Sequence, residues 1–247
     1  MSATLATTMK RFAILAAILA VAGCQIESPP DPNDPMRVSD DRAHVIQAAL
    51  SQASLAANAR VYKGEITDRQ AGRLIRQYAA KIAETVDLQQ INPPDAWIYG
   101  QLFITARNWK KAKTALQTAV HVAPNDDRFV NDSLRLAQTE AVLGEVGTAI
   151  YTARATFGVP REEKAPILPA ILLTIYPVAM GKGYDLDLAK LLEDAIKQHE
   201  QVIVDPKTDA GKLFLLAKPH HIEKAKMAAA ALYTGAGRPD LAARVRG

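Results

Sequence analysis

His220, His221 and Glu223 form the clearest group of residues in this chain whose types and spacing could do chemistry. His220 and Glu223 are three positions apart, so on a helix they share a face where an imidazole and a carboxylate could bind one metal ion. No second helix offers an obvious further ligand, and Pro219 is expected to place the pair at a helix start, where polar residues are ordinary. A metal-dependent hydrolase is therefore kept only as an alternative, and no metal ion or cofactor is expected.

Other catalytic patterns are missing from the sequence. Gly181-Lys182-Gly183 lacks the spacing of a phosphate-binding loop, and no nucleophile-elbow motif occurs. His44, His121 and His199 are isolated along the chain, which favours solvent-exposed or packed roles. The acidic residues are scattered, although carboxylates distant in sequence could still meet in three dimensions. The sequence therefore predicts a protein that is not an enzyme.

Cys24 is the single cysteine, so no intrachain disulfide and no cysteine-based metal cage can form. The residues before it have the parts of an export signal: the basic pair Lys10 and Arg11, an apolar run from Phe12 to Ala22, and small residues up to the cysteine. The apolar run has eleven residues, whereas a spanning helix needs about 20. It therefore indicates a cleavable signal peptide over residues 1–23.

The residues Val21-Ala22-Gly23-Cys24 resemble the bacterial lipobox. The resemblance implies that the signal is cut before Cys24 and that fatty acyl chains such as palmitate, attached there, anchor the chain to a membrane. An ordinary secretory signal that contains a cysteine is the alternative. In Gram-negative lipoproteins an aspartate after the cysteine favours the inner membrane, so Gln25 implies an outer-membrane anchor facing the periplasm where that sorting rule applies.

Residues 24–38 are predicted to form a tether between the lipidated cysteine and the body. Pro29, Pro30, Pro32 and Pro35 deny helical hydrogen bonds and favour an extended chain. At about 3.1 Å per residue, this tether would hold the body up to roughly 40 Å from the cysteine. Such a spacer suits a folded domain that must clear the lipid headgroups.

The charge balance argues against one class of partner. The formal net charge is +4, but without residues 1–23 there are 28 basic and 26 acidic residues, too small an excess to indicate nucleic acid binding. The excess is concentrated near the C-terminus, at Lys212, Lys218, Lys224, Lys226, Arg238, Arg244 and Arg246. A solvated helical end explains this distribution, and a structural lipoprotein that binds glycan or anionic lipid is the alternative.

The elements that must position these residues are predicted to be helices. Hydrophobic residues make up 49% of the chain and aromatic residues 6%, and no alternating β-branched segment indicates a strand. The predicted fold class is all-α. Residues 39–92 are predicted to form an N-terminal helical hairpin, whose second helix starts at Thr67 with Gln70 in capping-box spacing. Its buried face is expected to carry Leu74, Ile75, Tyr78, Ile82 and Val86.

Residues 93–126 carry a regular pattern of small, large and aromatic positions. In order, these are Tyr99, Gly100 and Phe103 in a first helix, Asn108 and Trp109 at a turn, Ala112, Leu116 and Ala119 in a second helix, and a closing Pro124. The pattern resembles the tetratricopeptide repeat (TPR), a helix–turn–helix of about 34 residues, with Trp97 one place later than the usual aromatic. Small residues such as Gly100 are expected to let the two helices approach, while large residues such as Leu116 fill the space beside them.

Weaker echoes of the pattern follow. A second unit begins near Val130, with Gly144 at its turn, although Glu140 and Thr156 stand where an aromatic residue and an alanine are usual. A third unit keeps the offsets at Ala230, Tyr233, Gly237 and Ala242. Residues 164–204 are predicted as a helix pair kinked at Pro177, with Gly181 and Gly183 at its turn. Residues 93–247 are accordingly predicted as a TPR-like repeat region.

A single TPR hairpin cannot bury its own apolar face, so the resemblance implies a TPR-like α-α superhelix of stacked helical hairpins with a concave surface. By position in the repeat, the residues implied to face this groove are Trp97, Gln101, Ile104, Thr105, Asn131, Leu134 and Gln138. Plain packing between helices is the alternative role for Trp97. The function expected from the resemblance is a non-catalytic protein–protein interaction scaffold for envelope assembly or regulation, with envelope proteins of unknown identity as partners.

Overall fold

The computed structural model describes residues 42–122, 128–158 and 167–247, and each structural statement below concerns these ranges. Every regular element within them is a helix, so the predicted all-α class is confirmed. Cys24, the tether and Ser39 lie outside the described residues, and so does Pro124.

The helices are α1 (Arg42–Tyr62), α2 (Asp68–Glu84), α3 (Ala96–Thr105), α4 (Trp109–Val122), α5 (Phe129–Val142), α6 (Val146–Arg154), α7, α8 (Asp185–Gln201), α9 (Asp209–Gly235) and α10 (Pro239–Arg246). Helix α7 has three consecutive segments, Ile167–Ala170, Ile171–Ile175 and Tyr176–Ala179, and the middle one is a π-turn. Short 3₁₀ turns at Leu88–Gln90 and Pro93–Asp95 connect α2 to α3.

One turn geometry recurs in the α1–α2, α3–α4, α5–α6 and α9–α10 connections. Two residues after the first helix of each pair, the backbone φ is positive, at Gly64 (72°), Arg107 (59°), Gly144 (87°) and Gly237 (72°). The next N–H then donates to the carbonyl five residues earlier, from Glu65 to Arg60 (2.9 Å), Asn108 to Phe103 (2.8 Å), Glu145 to Glu140 (2.9 Å) and Arg238 to Tyr233 (2.8 Å). This is the Schellman ending of a helix, which satisfies its last carbonyls. The three proposed repeat units and the N-terminal hairpin therefore share one turn.

Close packing of α3 against α4 follows the predicted pattern of small and large residues. A Cβ atom added to Gly100 would lie 2.6 Å from Cδ2 of Leu116, so only glycine allows this approach without movement of the leucine. Ala112, Leu116 and Phe103 are fully buried, and Ala119 is buried as well. The spacing in the sequence thus identifies where these two helices touch.

Two departures from the repeat pattern are buried polar residues with hydrogen-bond partners. Glu140 accepts a hydrogen bond from Thr152 Oγ1 (2.8 Å), and Thr156 Oγ1 donates to the Ala153 carbonyl (2.6 Å). Burial raises the pKa of Glu140, and the hydrogen bond from Thr152 opposes this rise. The partners offset the desolvation of groups that stand where the repeat usually has apolar side chains.

The helices pack mainly against their neighbours in the chain, around two hydrophobic cores. The N-terminal core joins α1 to α4 and includes Ile46, Ile82 and Phe103. The C-terminal core joins α5 to α10 and includes Ile171 and Leu192. Helix α4 contacts α5, and first helices of successive hairpins pack together in three cases, α1 with α3, α5 with α7, and α7 with α9, whereas α3 and α5 form no comparable contact. The hairpin predicted over residues 39–92 therefore shares its core with the hairpin of α3 and α4.

Helix α2 begins as predicted, with the full capping box: Gln70 N–H donates to Thr67 Oγ1 (3.3 Å), and Thr67 N–H donates to Gln70 Oε1 (2.8 Å). Leu74 departs from the predicted buried face, because its side chain is exposed to solvent. Ile82 and Val86 are buried as expected.

Prolines are accommodated in two ways. Before Pro177, the helix widens into the π-turn Ile171–Ile175, because the proline has no N–H to continue the regular ladder. Pro219 lies inside α9, which begins at Asp209, and Thr208 Oγ1 accepts from Gly211 N–H (3.0 Å) as its N-cap. The prediction that His220 stands at a helix start is wrong, since the cap at Thr208 starts the helix well before the proline.

Candidate functional site

A cleft of about 470 Å³ lies between α1 and α3. Both are the first helices of their hairpins, and on each the lining residues recur at helical spacing along one face. The lining residues are Gln47, Leu50, Ser51, Ser54, Leu55 and Asn58 of α1, Ile75 of α2, and Ile98, Gln101 and Thr105 of α3.

The side chains of this cleft carry no charge and combine aliphatic groups with hydroxyls and amides. The hydroxyls of Ser54 and Thr105 donate to the carbonyls of Leu50 (2.9 Å) and Gln101 (2.8 Å), which leaves their oxygens as acceptors. The side-chain amides of Gln47, Asn58 and Gln101 are not hydrogen-bonded within the described part of the chain, so they can offer both donors and acceptors. A surface of this kind suits the neutral backbone and apolar side chains of a peptide.

Of the groove residues predicted on α3, two line the cleft and two pack against the hydrophobic core. Gln101 and Thr105 line the cleft. Trp97 and Ile104 are half-buried and pack against the N-terminal core. The guanidinium of Arg128 lies over the Trp97 ring, 4.8 Å from its centroid. Trp97 therefore contributes to packing, which is the alternative role that the sequence left open.

The groove residues predicted on α5 lie away from the cleft. Asn131 and Gln138 are half-buried. Leu134 is only 5% exposed and belongs to the C-terminal core, because α5 is contacted by α4, α6 and α7. Its side chain is not available at a surface.

Sequence reasoning missed the wall of the cleft that α1 provides, from Gln47 to Asn58. The signal that could have found it is Gly64, which ends α1 with the same turn as α3, α5 and α9. Placing α1 as a further first helix, one hairpin before Pro93, would have assigned its polar face to the groove.

The histidines lie at the contact of α8 with α9. His199 of α8 is fully buried, and its ring is 5.0 Å from that of Phe214 and 5.8 Å from that of His221. Both ring nitrogens of His199 lack a hydrogen-bond partner among the described residues. Burial, followed by the charges of His221 and Lys218, lowers the pKa of His199 to about 4.

The predicted alternative of a metal site finds no geometric support in the described ranges. His220 and Glu223 are exposed on α9, and no group of three histidine, cysteine or acidic side chains is placed there to hold an ion. The nearest further imidazole to His221 is His199, and the positive charge of Lys218 acts on that ring and would repel a cation.

The basic C-terminal end is partly neutralised by ion pairs. Arg244 contacts both carboxylate oxygens of Glu193 (2.8 and 2.9 Å), and Arg238 contacts both oxygens of Asp240 (3.0 and 2.8 Å). Glu193 also accepts a hydrogen bond from Tyr233, and burial followed by this bond raises the pKa of Tyr233 to about 12. Arg244 and Tyr233 therefore join α10 and α9 to Glu193 of α8, whereas Arg238 pairs locally at the start of α10.

No known family model matches the chain, and no curated protein or solved structure is significantly similar to it. Among the helices of the described residues, none has the length and apolar character to cross a membrane.

Proposed function

We propose that this chain is a TPR-like interaction scaffold that is lipid-anchored in a bacterial envelope and binds a polypeptide segment in the cleft between α1 and α3. The shared Schellman turns and the close contact of Gly100 with Leu116 support the TPR-like part of the proposal. Contacts of α1 with α3, and of α5 with α7 and α7 with α9, support stacking of first helices on each side of the α4–α5 contact.

The observation that carries the proposal is the chemistry of the cleft. Its uncharged amides and hydroxyls recur along two adjacent helices, beside the aliphatic Leu50, Leu55 and Ile98. An extended or helical peptide can satisfy such groups with its backbone and place apolar side chains between them. No charged side chain lines this cleft, so we propose a partner segment that is neutral there and not one held by its terminal carboxylate.

The anchoring part of the proposal rests on Val21-Ala22-Gly23-Cys24 and on the proline-rich residues that follow. We propose acylation of Cys24 and, from Gln25, an outer-membrane position facing the periplasm. Labelled palmitate should be incorporated into the full chain in cells and lost in Cys24→Ser. Equal labelling of both chains would contradict the anchor.

Binding in the cleft is tested with a photo-crosslinking residue at Gln101 of the full chain in its native cells. The expected result is a discrete adduct that Ser51→Arg reduces at least about tenfold, because the arginine puts bulk and an unpaired charge into the contact. Gln52→Arg is the matched control, since Gln52 is exposed on the same helix outside the cleft and should leave the adduct unchanged. An adduct indifferent to Ser51→Arg, or no adduct at all, would refute the proposed site.

A further inference from the structure

Two adjoining hollows lie along α2. One, of about 540 Å³, is on the helix itself and includes the half-buried ring of Tyr78. The other, of about 500 Å³, lies between α2 and the α3–α4 turn and includes the half-buried ring of Trp109. They share no lining residue with the cleft between α1 and α3. Ala80 and Glu84 line both hollows, so together these form one depression, the α2 pocket, with an aromatic side chain in each part.

The α2 pocket has an excess of positive charge. Lys81, Arg107 and Lys110 line it, and Glu84 is the single acid among the described residues that do so. All three cations are exposed, and no hydrogen bond or ion pair engages them within the described part of the chain. The neighbouring Lys111 differs, because its Nζ donates to two carbonyls at the end of α2 (3.3 and 2.8 Å). The pocket therefore offers three cations beside two aromatic rings.

Residues 27–36 lie outside the described residues, and their sequence complements this pocket. They contain three acidic residues, no basic residue and four prolines. A polyproline II helix has three residues per turn, so three of these prolines, at intervals of three from Pro29, would share one face. Asp31 and Asp34 have the same spacing and would share the next face. Such a segment can place prolines on aromatic rings and carboxylates against the cations beside them.

The segment joins the helical body beside the α2 pocket. Arg42, the first residue of α1, donates from Nη2 to the carbonyl (3.2 Å) and the hydroxyl (3.4 Å) of Thr85, which follows Glu84 in the chain. An extended chain from residue 36 to Arg42 spans up to roughly 19 Å, and the part of α2 from Leu74 to Glu84 is about 15 Å long. The segment can therefore reach the pocket. Its attachment also gives it a high effective concentration there, which a separate acidic partner lacks.

We propose that residues 27–36 dock in the α2 pocket, with prolines against the two aromatic rings and aspartates paired with Lys81 and Lys110. The docking depends on the segment and the pocket alone. Its consequence for position rests on the proposed acylation of Cys24: a docked segment leaves about three residues of spacer, so the pocket lies within about 10 Å of the cysteine instead of up to roughly 40 Å. The α2 pocket would thus set the distance between the body and the membrane.

Disulfide trapping tests the docking independently of any acyl anchor. The full chain carries Cys24→Ser together with Pro32→Cys in the segment and Ala80→Cys in the pocket. Under mild oxidation the two cysteines should form a disulfide within one chain, and mass spectrometry of the unreduced protein measures its rate. The alkylation rate of each single-cysteine chain corrects for the effect of neighbouring charges on thiol reactivity.

Charge reversal then separates docking from chance collision. Lys81→Glu with Lys110→Glu should slow the disulfide by about tenfold or more, because the aspartates would meet carboxylates. Adding Asp31→Lys with Asp34→Lys should restore the rate, since the charges are then complementary again. Circular dichroism checks that each variant is folded.

The matched control is Lys63→Glu with Arg69→Glu, which reverses two exposed cations near the α1–α2 turn, outside the pocket, and should leave the rate unchanged. Equal slowing by both pairs of reversals, or no restoration by the lysines in the segment, would overturn the proposal. Disulfide-linked dimers in place of the closed monomer would overturn it in favour of a second copy. A photo-crosslinker at Ala80 that captures another protein in cells, when the purified chain forms no disulfide, would overturn it in favour of a separate partner.

Discussion

Cδ2 of Leu116 occupies the space beside Gly100, at 2.6 Å from where a Cβ atom would stand. Gly100→Ala should therefore destabilise the protein by about 1–3 kcal/mol, because the fully buried Leu116 or the α3 backbone must shift. Urea unfolding followed by circular dichroism measures the change. Gly72→Ala is the control, since Gly72 is exposed in α2 and the new Cβ would meet no side chain and no other segment within 4 Å, and it should stabilise by about 0.5–1 kcal/mol. Equal effects would contradict the close approach.

Arg107 stands alone among the non-glycine residues of the described chain in having a positive φ (59°), at the turn where Gly64, Gly144 and Gly237 serve the other hairpins. Arg107→Gly should raise the free energy of unfolding by about 0.5–1 kcal/mol, because glycine adopts this conformation without steric strain. The reciprocal Gly144→Arg should lower it by about 1 kcal/mol. Thermal unfolding of the two variants tests the pair, and shifts of the same sign would mean that the turns are not equivalent.

Thr152 Oγ1 is the hydrogen-bond donor to the buried carboxyl of Glu140. Thr152→Val should destabilise by about 1–3 kcal/mol at neutral pH, because it leaves a desolvated acceptor without this partner. Thr148→Val on the same helix is exposed and should change stability by less than about 0.5 kcal/mol. Combining Thr152→Val with Glu140→Leu should recover stability, since both polar groups are then gone; a double variant worse than the single one would reject this account.

The buried His199 predicts a loss of stability in acid. Its pKa is lowered to about 4 in the folded chain, against 6.5 for an unperturbed histidine, so the unfolded chain takes up the proton first. The stability that the folded chain gains by keeping His199 neutral is complete above pH 6.5, declines as the pH falls, and is lost once the pH reaches about 4. The difference between the two pKa values corresponds to about 3 kcal/mol in the free energy of unfolding. His199→Leu should flatten urea midpoints over this range relative to the parent chain, and the exposed control His121→Gln should not; a parent chain with no such slope would disprove the role of His199.

The sequence contains enough information to predict features set within one helical hairpin. The Gly100 and Leu116 contact, the turn at Gly144 and the capping box at Thr67 depend on spacings of a few to sixteen residues along the chain. Such spacings translate directly into helix faces and helix ends. The all-α class follows from the same local patterns.

Features set by packing between hairpins could not be read in this way. Leu134 has the repeat position of a groove residue, yet α4, α6 and α7 surround its helix and bury it. His199 is isolated in sequence and becomes a buried base only because Phe214 and His221 of the next helix close over it. The cleft could not be predicted without α1, whose sequence carries the turn that four hairpins share but little of the residue pattern on which the repeat was predicted.

The division of the interior into two cores has an optical consequence. Both tryptophans of the chain, Trp97 and Trp109, belong to the hairpin formed by α3 and α4, and none lies between α5 and α10. Indole fluorescence will therefore follow the melting of the N-terminal half alone, while far-ultraviolet dichroism follows every helix. Because neighbouring hairpins hold each other by local contacts, the two curves need not coincide, and their separation would measure how strongly the α4–α5 contact couples one half of the chain to the other.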